Sequence, residues 1–140
     1  MIKVIVGKST IELAKNRFDK VKIDSSKGLH QFGSEEKRVK YGFIGEEVVL
    51  HHFNIKGEDD YDYDMVYKGR KIDVKTISCK FKPHSNYLCT VNSSELEIFK
   101  KQKTEYYFFV RIKNDCSVAW ILGYIKSKEF FDKSKLVKKG

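Results

Sequence analysis

Asp59-Asp60-Tyr61-Asp62-Tyr63-Asp64-Met65-Val66-Tyr67-Lys68-Gly69-Arg70-Lys71-Ile72-Asp73-Val74-Lys75-Thr76-Ile77 is the stretch whose reading decides the fold. Two β-prone runs, Tyr61 to Tyr67 and Arg70 to Ile77, flank Lys68-Gly69, and a two-residue connection containing Gly predicts a tight hairpin turn. Pairing Tyr67 with Arg70 sets the register. Val66 then faces Lys71, Met65 faces Ile72, and Asp64 stands opposite Asp73. Residues directly opposite in an antiparallel pair share a face, with Cβ atoms roughly 5 Å apart. Lys75, two residues past Asp73, points to that face as well. Two carboxylates and a lysine converge on one patch. Like charges placed opposite each other destabilise a sheet, so the pattern calls for a compensating cation and reads as a divalent-metal site.

Working outward, length and composition bound what this hairpin belongs to. A chain of 140 residues, 41% hydrophobic and 14% aromatic, is long enough for one cored domain, and the whole of 1–140 is read as one. The formal net charge is +9, from 28 Lys and Arg against 19 Asp and Glu, a balance that suits a polyanionic partner such as nucleic acid. A basic protein that is merely soluble has the same balance. Cys79, Cys89 and Cys116 make an odd set with no C-x-x-C pair. That argues against a disulfide framework, and against reading Cys79, His84 and Cys89 as zinc ligands. The longest apolar runs, Tyr106 to Val110 and Val118 to Ile125, fall short of the roughly 18 residues of a membrane span. No membrane association is expected, and the sequence reads as a soluble, cytoplasmic protein.

Upstream of the hairpin, Ile2 to Val6 predicts a strand, and Ser9-x-x-Glu12 a capping box opening a helix with Ile11, Ala14 and Phe18 inward. Lys20 to Gly33 reads as a polar connector. A longer helix is predicted from Ser34, with Glu35 and Glu36 favouring the positive end of its dipole. At roughly 100° per residue, Val39, Phe43, Val49, Leu50 and Phe53 fall on one stripe. Glu46 lies near the middle of that stripe and Glu47 at its edge, and Gly45 lets the helix approach the sheet closely. A carboxylate on a buried face must be paired or bound to metal, so Glu46 is either a ligand, the partner of a buried basic group, or exposed at a crevice.

Downstream, Ser78 to Asn86 holds the only proline, Pro83, among Lys80, Lys82 and His84. It reads as a basic loop suited to phosphate contacts. His84 fits a surface position better than a proton-transfer role. A third strand over Tyr87 to Val91 and a helix opened by Ser94-x-x-Glu97 follow. Two nearly continuous apolar strands, Thr104 to Ile112 and Ser117 to Ile125, turn around Lys113-Asn114-Asp115, as central strands covered on both faces would. Lys126 to Asp132 is a short helix, and Leu136-Val137 an edge strand.

Asp64 with Asp73-Val74-Lys75 resembles the motif of the PD-(D/E)XK, or restriction-endonuclease-like, nuclease superfamily: an Asp at a strand end and, one hairpin later, Asp/Glu-x-Lys. Tyr63 stands where many members carry Pro. The order helix, three strands, helix, strand agrees over about residues 34–124. The resemblance implies an α/β fold with a central mixed sheet flanked by helices, and a Mg²⁺-dependent nuclease in which Mn²⁺ substitutes. It implies Asp64, Asp73, Glu46 and the backbone carbonyl of Val74 as metal ligands, and Lys75 as the group that activates water and stabilises the transition state. Lys80, Lys82 and His84 are the expected DNA contacts. Small members include Holliday-junction resolvases and compact phage or mobile-element endonucleases, for which cuts on two strands call for a homodimer. Two other readings share the residues: a non-catalytic nucleic-acid-binding module on the same fold, and an RNA-processing nuclease.

Overall fold

A computed structural model describes residues 1–24, 34–55, 65–84, 89 and 104–133. The predicted hairpin forms with the predicted register: β2 (Met65–Tyr67) and β3 (Arg70–Cys79) are antiparallel, with Tyr67 opposite Arg70, Val66 opposite Lys71 and Met65 opposite Ile72. Lys68 (φ 50°) and Gly69 (φ 75°) both adopt the left-handed conformation that a type I′ turn demands. Asp64 itself lies outside the described residues, as do Asp59, Asp60 and Asp62.

β3 is the pivot of a five-stranded mixed sheet of order β1-β5-β4-β3-β2. β1 (Ile2–Ile5) pairs antiparallel with β5 (Val118–Lys126), and β5 antiparallel with β4 (Tyr106–Lys113). β4 runs parallel to β3, Asp73 beside Tyr107 and Lys75 beside Phe109. A parallel pair needs a crossover connection, and the predicted strand at Tyr87 to Val91 and helix from Ser94 fall in it. Apart from Cys89 they lie outside the described residues, as does Leu136-Val137. β4 is the central strand, and Tyr107 to Val110 are buried without interruption because both faces are covered. A bulge lets β5 keep its pairing: Phe109 faces Gly123 while Val110 faces Ile121, leaving Leu122 as the extra residue.

Three helices are present among the described residues: α1 (Lys8–Asp24), α2 (Ser34–His52) and α3 (Ser127–Lys133). α1 corrects two expectations. It opens earlier than the Ser9 capping box, with the Gly7 carbonyl accepting the Ile11 N–H at 3.2 Å, and Ser9 sits within the first turn. It also runs on through Lys20 to Asp24, taking in part of the expected connector. The reason is continuity: Ala14 and Phe18 are already buried at one-turn spacing, and nothing from Lys20 to Asp24 breaks a helix. α2 begins at Ser34 as expected and ends in a Schellman motif. Asn54 (φ 52°) takes the left-handed position, the Ile55 N–H reaches the Leu50 carbonyl at 2.8 Å, and the Asn54 N–H the His51 carbonyl at 3.3 Å.

Period-two alternation splits β3 between two environments. Ile72 and Val74 join Ile44, Val48, Val49 and Leu50 of α2 in one buried cluster with Phe108, Val110 and Ile121. Thr76 points the same way, into α2 at Gly45: a Cβ added there would sit 2.9 Å from both Cβ and Cγ2 of Thr76 and closer still to its hydroxyl. Only glycine allows α2 to lie this near the sheet. Asp73 and Lys75 point to the other face, which α3 covers with Phe130 and Phe131 packed on the Tyr107 ring (centroids 5.7 and 5.9 Å). No described helix is long and apolar enough to cross a membrane.

Candidate metal centre and basic strip

On that second face, Lys75 Nζ lies 2.9 Å from Asp73 Oδ2, both side chains largely shielded (23% and 19% exposed). The ammonium is also 5.8 Å from the centre of the Tyr107 ring, within reach of its π-face. β3 positions both groups because residues two apart on a strand share a face, and Tyr107, buried between β3 and α3, forms the floor beneath them. Val74, between them, buries its side chain in the α2 cluster, so that only its backbone is available to this face. Asp64 immediately precedes Met65, the first residue of β2, in sequence, and its own position is not among those described.

Glu46 is elsewhere. α2 lies on the opposite face of the sheet, and Glu46 Oε2 is 2.7 Å from Arg17 Nη2 of α1. The other nitrogen of that guanidinium donates to Glu47 Oε1 at 3.2 Å. Glu47 is the more buried of the two, at 7% exposure, whereas periodicity set it at the edge of the stripe. The reason is α1, which packs on the side of α2 that carries both carboxylates. His51 Nε2 stands 3.4 Å from Glu47 Oε2, and the Thr10 hydroxyl 3.4 Å from His51 Nδ1. Arg17 further stacks over Phe43 at 4.9 Å. Of the openings left by the sequence for Glu46, pairing with a basic group is the one in place. Arg17 was missed, although a signal existed: it follows Ala14 by three residues and so rides the edge of the apolar stripe of α1.

Beyond Lys75 the same face carries a second cation that sequence reasoning overlooked. Arg111 of β4 stands beside Ile77 in register, and with Lys75, Phe109, Leu122 and Cys89 it lines a shallow depression. Desolvation raises the thiol of half-buried Cys79 above the usual cysteine range, with Arg111 pulling the other way. β3 then ends at Cys79, whose carbonyl accepts the Asn114 N–H at 2.9 Å, and the basic loop begins. Lys80, Lys82 and His84 are exposed there, while Pro83 is fully buried. Asp73, Lys75 and Arg111 thus share one face of the sheet, and the loop lysines follow in sequence where β3 ends.

The donor set can be weighed against a hard divalent cation, which takes oxygen ligands. Among the described residues no three His, Cys, Asp or Glu side chains come together as a metal-binding group. Asp73 offers a carboxylate at the face, and Asp64 is the candidate for the second. Compared with known proteins, the chain matches no protein-family model, no curated protein and no solved structure.

Proposed function

We propose that this protein is a divalent-metal-dependent nuclease of the restriction-endonuclease-like type acting on DNA, with its centre on the β2–β3 hairpin. The observation that carries the reading is the placement of Asp73 and Lys75 side by side on one face of β3, in a hairpin whose register runs toward Asp64. Asp73 and Asp64, with the Val74 carbonyl, would hold Mg²⁺ or Mn²⁺, which supplies Lewis-acid polarisation of a phosphate and an acidified water when bound. Lys75 is the chain's own contribution to the chemistry. Its ammonium, held against Asp73 and the Tyr107 ring, is a fixed positive charge for the phosphorane-like transition state and a donor that orients attacking water. Glu46, engaged by Arg17, acts by holding α1 on α2 and is assigned no place in the reaction. Arg111 and the loop lysines supply phosphate contacts leading away from the centre.

One observation favours a second reading, a non-catalytic nucleic-acid-binding module. Asp73 and Glu46 each already have a cationic side chain within ion-pair distance. Digestion decides between them: labelled four-way junction, flap, single-stranded and duplex DNA, with RNA alongside, in Mg²⁺ and in EDTA. The nuclease reading expects Mg²⁺-dependent cleavage that Asp73→Ala, Asp64→Ala and Lys75→Ala each reduce by about a hundredfold or more, and that Cys79→Ser leaves intact. Asp73→Ala cleaving at the wild-type rate refutes the centre, and DNA binding without any cleavage selects the module.

A further inference from the structure

The basic loop holds a feature that phosphate contacts do not use. Phe81 is 69% exposed, between Lys80 and Lys82. A single exposed apolar residue is ordinary on a protein surface, so exposure alone says little. Here the backbone is pinned on both sides of the ring. The Cys79 carbonyl is bonded to the turn between β4 and β5, and Pro83 is fully buried, leaving a three-residue segment that presents Phe81 outward. Lys80 Nζ lies 5.6 Å from the ring centre, so the aromatic face and a cation are offered together. That pairing fits one ligand chemistry closely: a nucleobase to stack on the ring, with its own phosphate on the ammonium. A base inside a duplex is already stacked on both sides, so the ring selects an unpaired one.

We propose that Phe81 is a stacking platform for an unpaired DNA base and that the substrate of this protein contains a single-stranded segment, as a flap, bubble or branch does. The inference rests on the nucleic-acid reading above and deepens it. Lys75 and Cys79 are four residues apart on β3, about 13 Å at strand rise, and Phe81 follows Cys79 by two residues, a span that a few nucleotides of an extended strand cover. On this proposal the captured base and the phosphate at Asp73 and Lys75 belong to one strand or to the two sides of one junction. The chain's net charge of +9 and the lysines on either side of the ring favour a polyanion over an apolar protein groove.

Binding in EDTA tests this independently of cleavage. Fluorescence anisotropy is measured with labelled oligothymidylate and with a blunt-ended hairpin duplex carrying the same number of phosphates. Phe81→Ala is expected to weaken oligothymidylate binding about tenfold or more, to leave the duplex affinity and the salt slope unchanged, and to melt at the wild-type temperature. Phe81→Leu should behave as Phe81→Ala, whereas Phe81→Trp should retain affinity and show quenching of the new indole on binding. Phe81→Ala binding oligothymidylate as tightly as wild type overturns the proposal, and so does an equal loss on both ligands. Ring-dependent binding without Mg²⁺-dependent cleavage leaves the platform standing and removes the nuclease, while cleavage with no effect of the ring does the reverse.

Discussion

Replacing Gly45 by alanine tests the contact that sets how α2 sits on the sheet. The added methyl would lie 2.9 Å from Thr76 Cβ and Cγ2, with the Thr76 hydroxyl nearer still. Carbon atoms in ordinary contact are about 3.5–4.0 Å apart, so α2 must move off β3 by about 1 Å or Thr76 must be displaced into the buried cluster. Overpacking of this kind costs about 1–3 kcal/mol. Alanine in place of glycine inside a helix returns about 1 kcal/mol, for a net loss of up to about 2 kcal/mol. At this chain length that is a fall in Tm of up to about 8 °C. Gly42, on the same helix, is the internal control: nothing lies within 4 Å of a Cβ placed there, and its φ is ordinary. Gly42→Ala should therefore raise Tm by a few degrees, through propensity alone. The assay is thermal and urea denaturation of the two single variants, of Thr76→Gly, and of the Gly45→Ala/Thr76→Gly pair. Removing the Thr76 side chain opens the space, so the double variant should be more stable than the two single effects add up to, by about 1–2 kcal/mol. If Gly45→Ala stabilises the protein as Gly42→Ala does, the close approach of α2 to β3 is wrong.

Three further outcomes follow from the charged groups. Asp73→Asn removes the partner of a mostly shielded lysine, so in EDTA it should lower stability by about 1 kcal/mol after allowance for solvent screening; a rise in Tm would show that repulsion from Asp64 outweighs the Lys75 pair, and Asp59→Asn should change neither. The joint variant Lys80→Ala/Lys82→Ala should make the salt dependence of duplex affinity shallower by about 1.8 in log–log slope, at about 0.9 for each phosphate no longer neutralised, and an unchanged slope places the phosphate track elsewhere. The hydrogen bond from Arg70 (3.0 Å), opposed by desolvation and helped by the Lys71 N–H, holds the Glu105 carboxyl below the usual glutamate range. A depressed folded-state pKa gives stability that is present above the unfolded value, about 4.3, and lost as pH falls through the folded one. Glu105→Gln should therefore flatten the acid limb of the stability profile below about pH 4.3, read as Tm against pH, and an unaltered limb would remove that pair from the balance.

Nearest-neighbour rules were enough for the hairpin. Lys68-Gly69 fixes a two-residue turn, and the turn fixes which residues oppose each other, so the Tyr67–Arg70 register and the shared face of Asp73 and Lys75 were legible from spacing alone. The start of α2 at Ser34, the buried β4 and the closeness implied by Gly45 were legible for the same reason, since capping, burial on two faces and a missing side chain are local signals. The surroundings of Glu46 were not. Periodicity places a carboxylate on a helix face but does not say which helix or sheet that face meets, and α1 supplies Arg17 from a sequence separation of 29 residues. Nor does the hairpin reveal which side of the sheet α2 covers. Packing puts Thr76 under Gly45, and by alternation sends Asp73 and Lys75 to the face of Tyr107, Phe109 and Arg111. Arg111 belongs to the candidate site only because β4 lies parallel to β3, a pairing made through a long connection. Charge partners, unlike turns, are chosen by the whole chain.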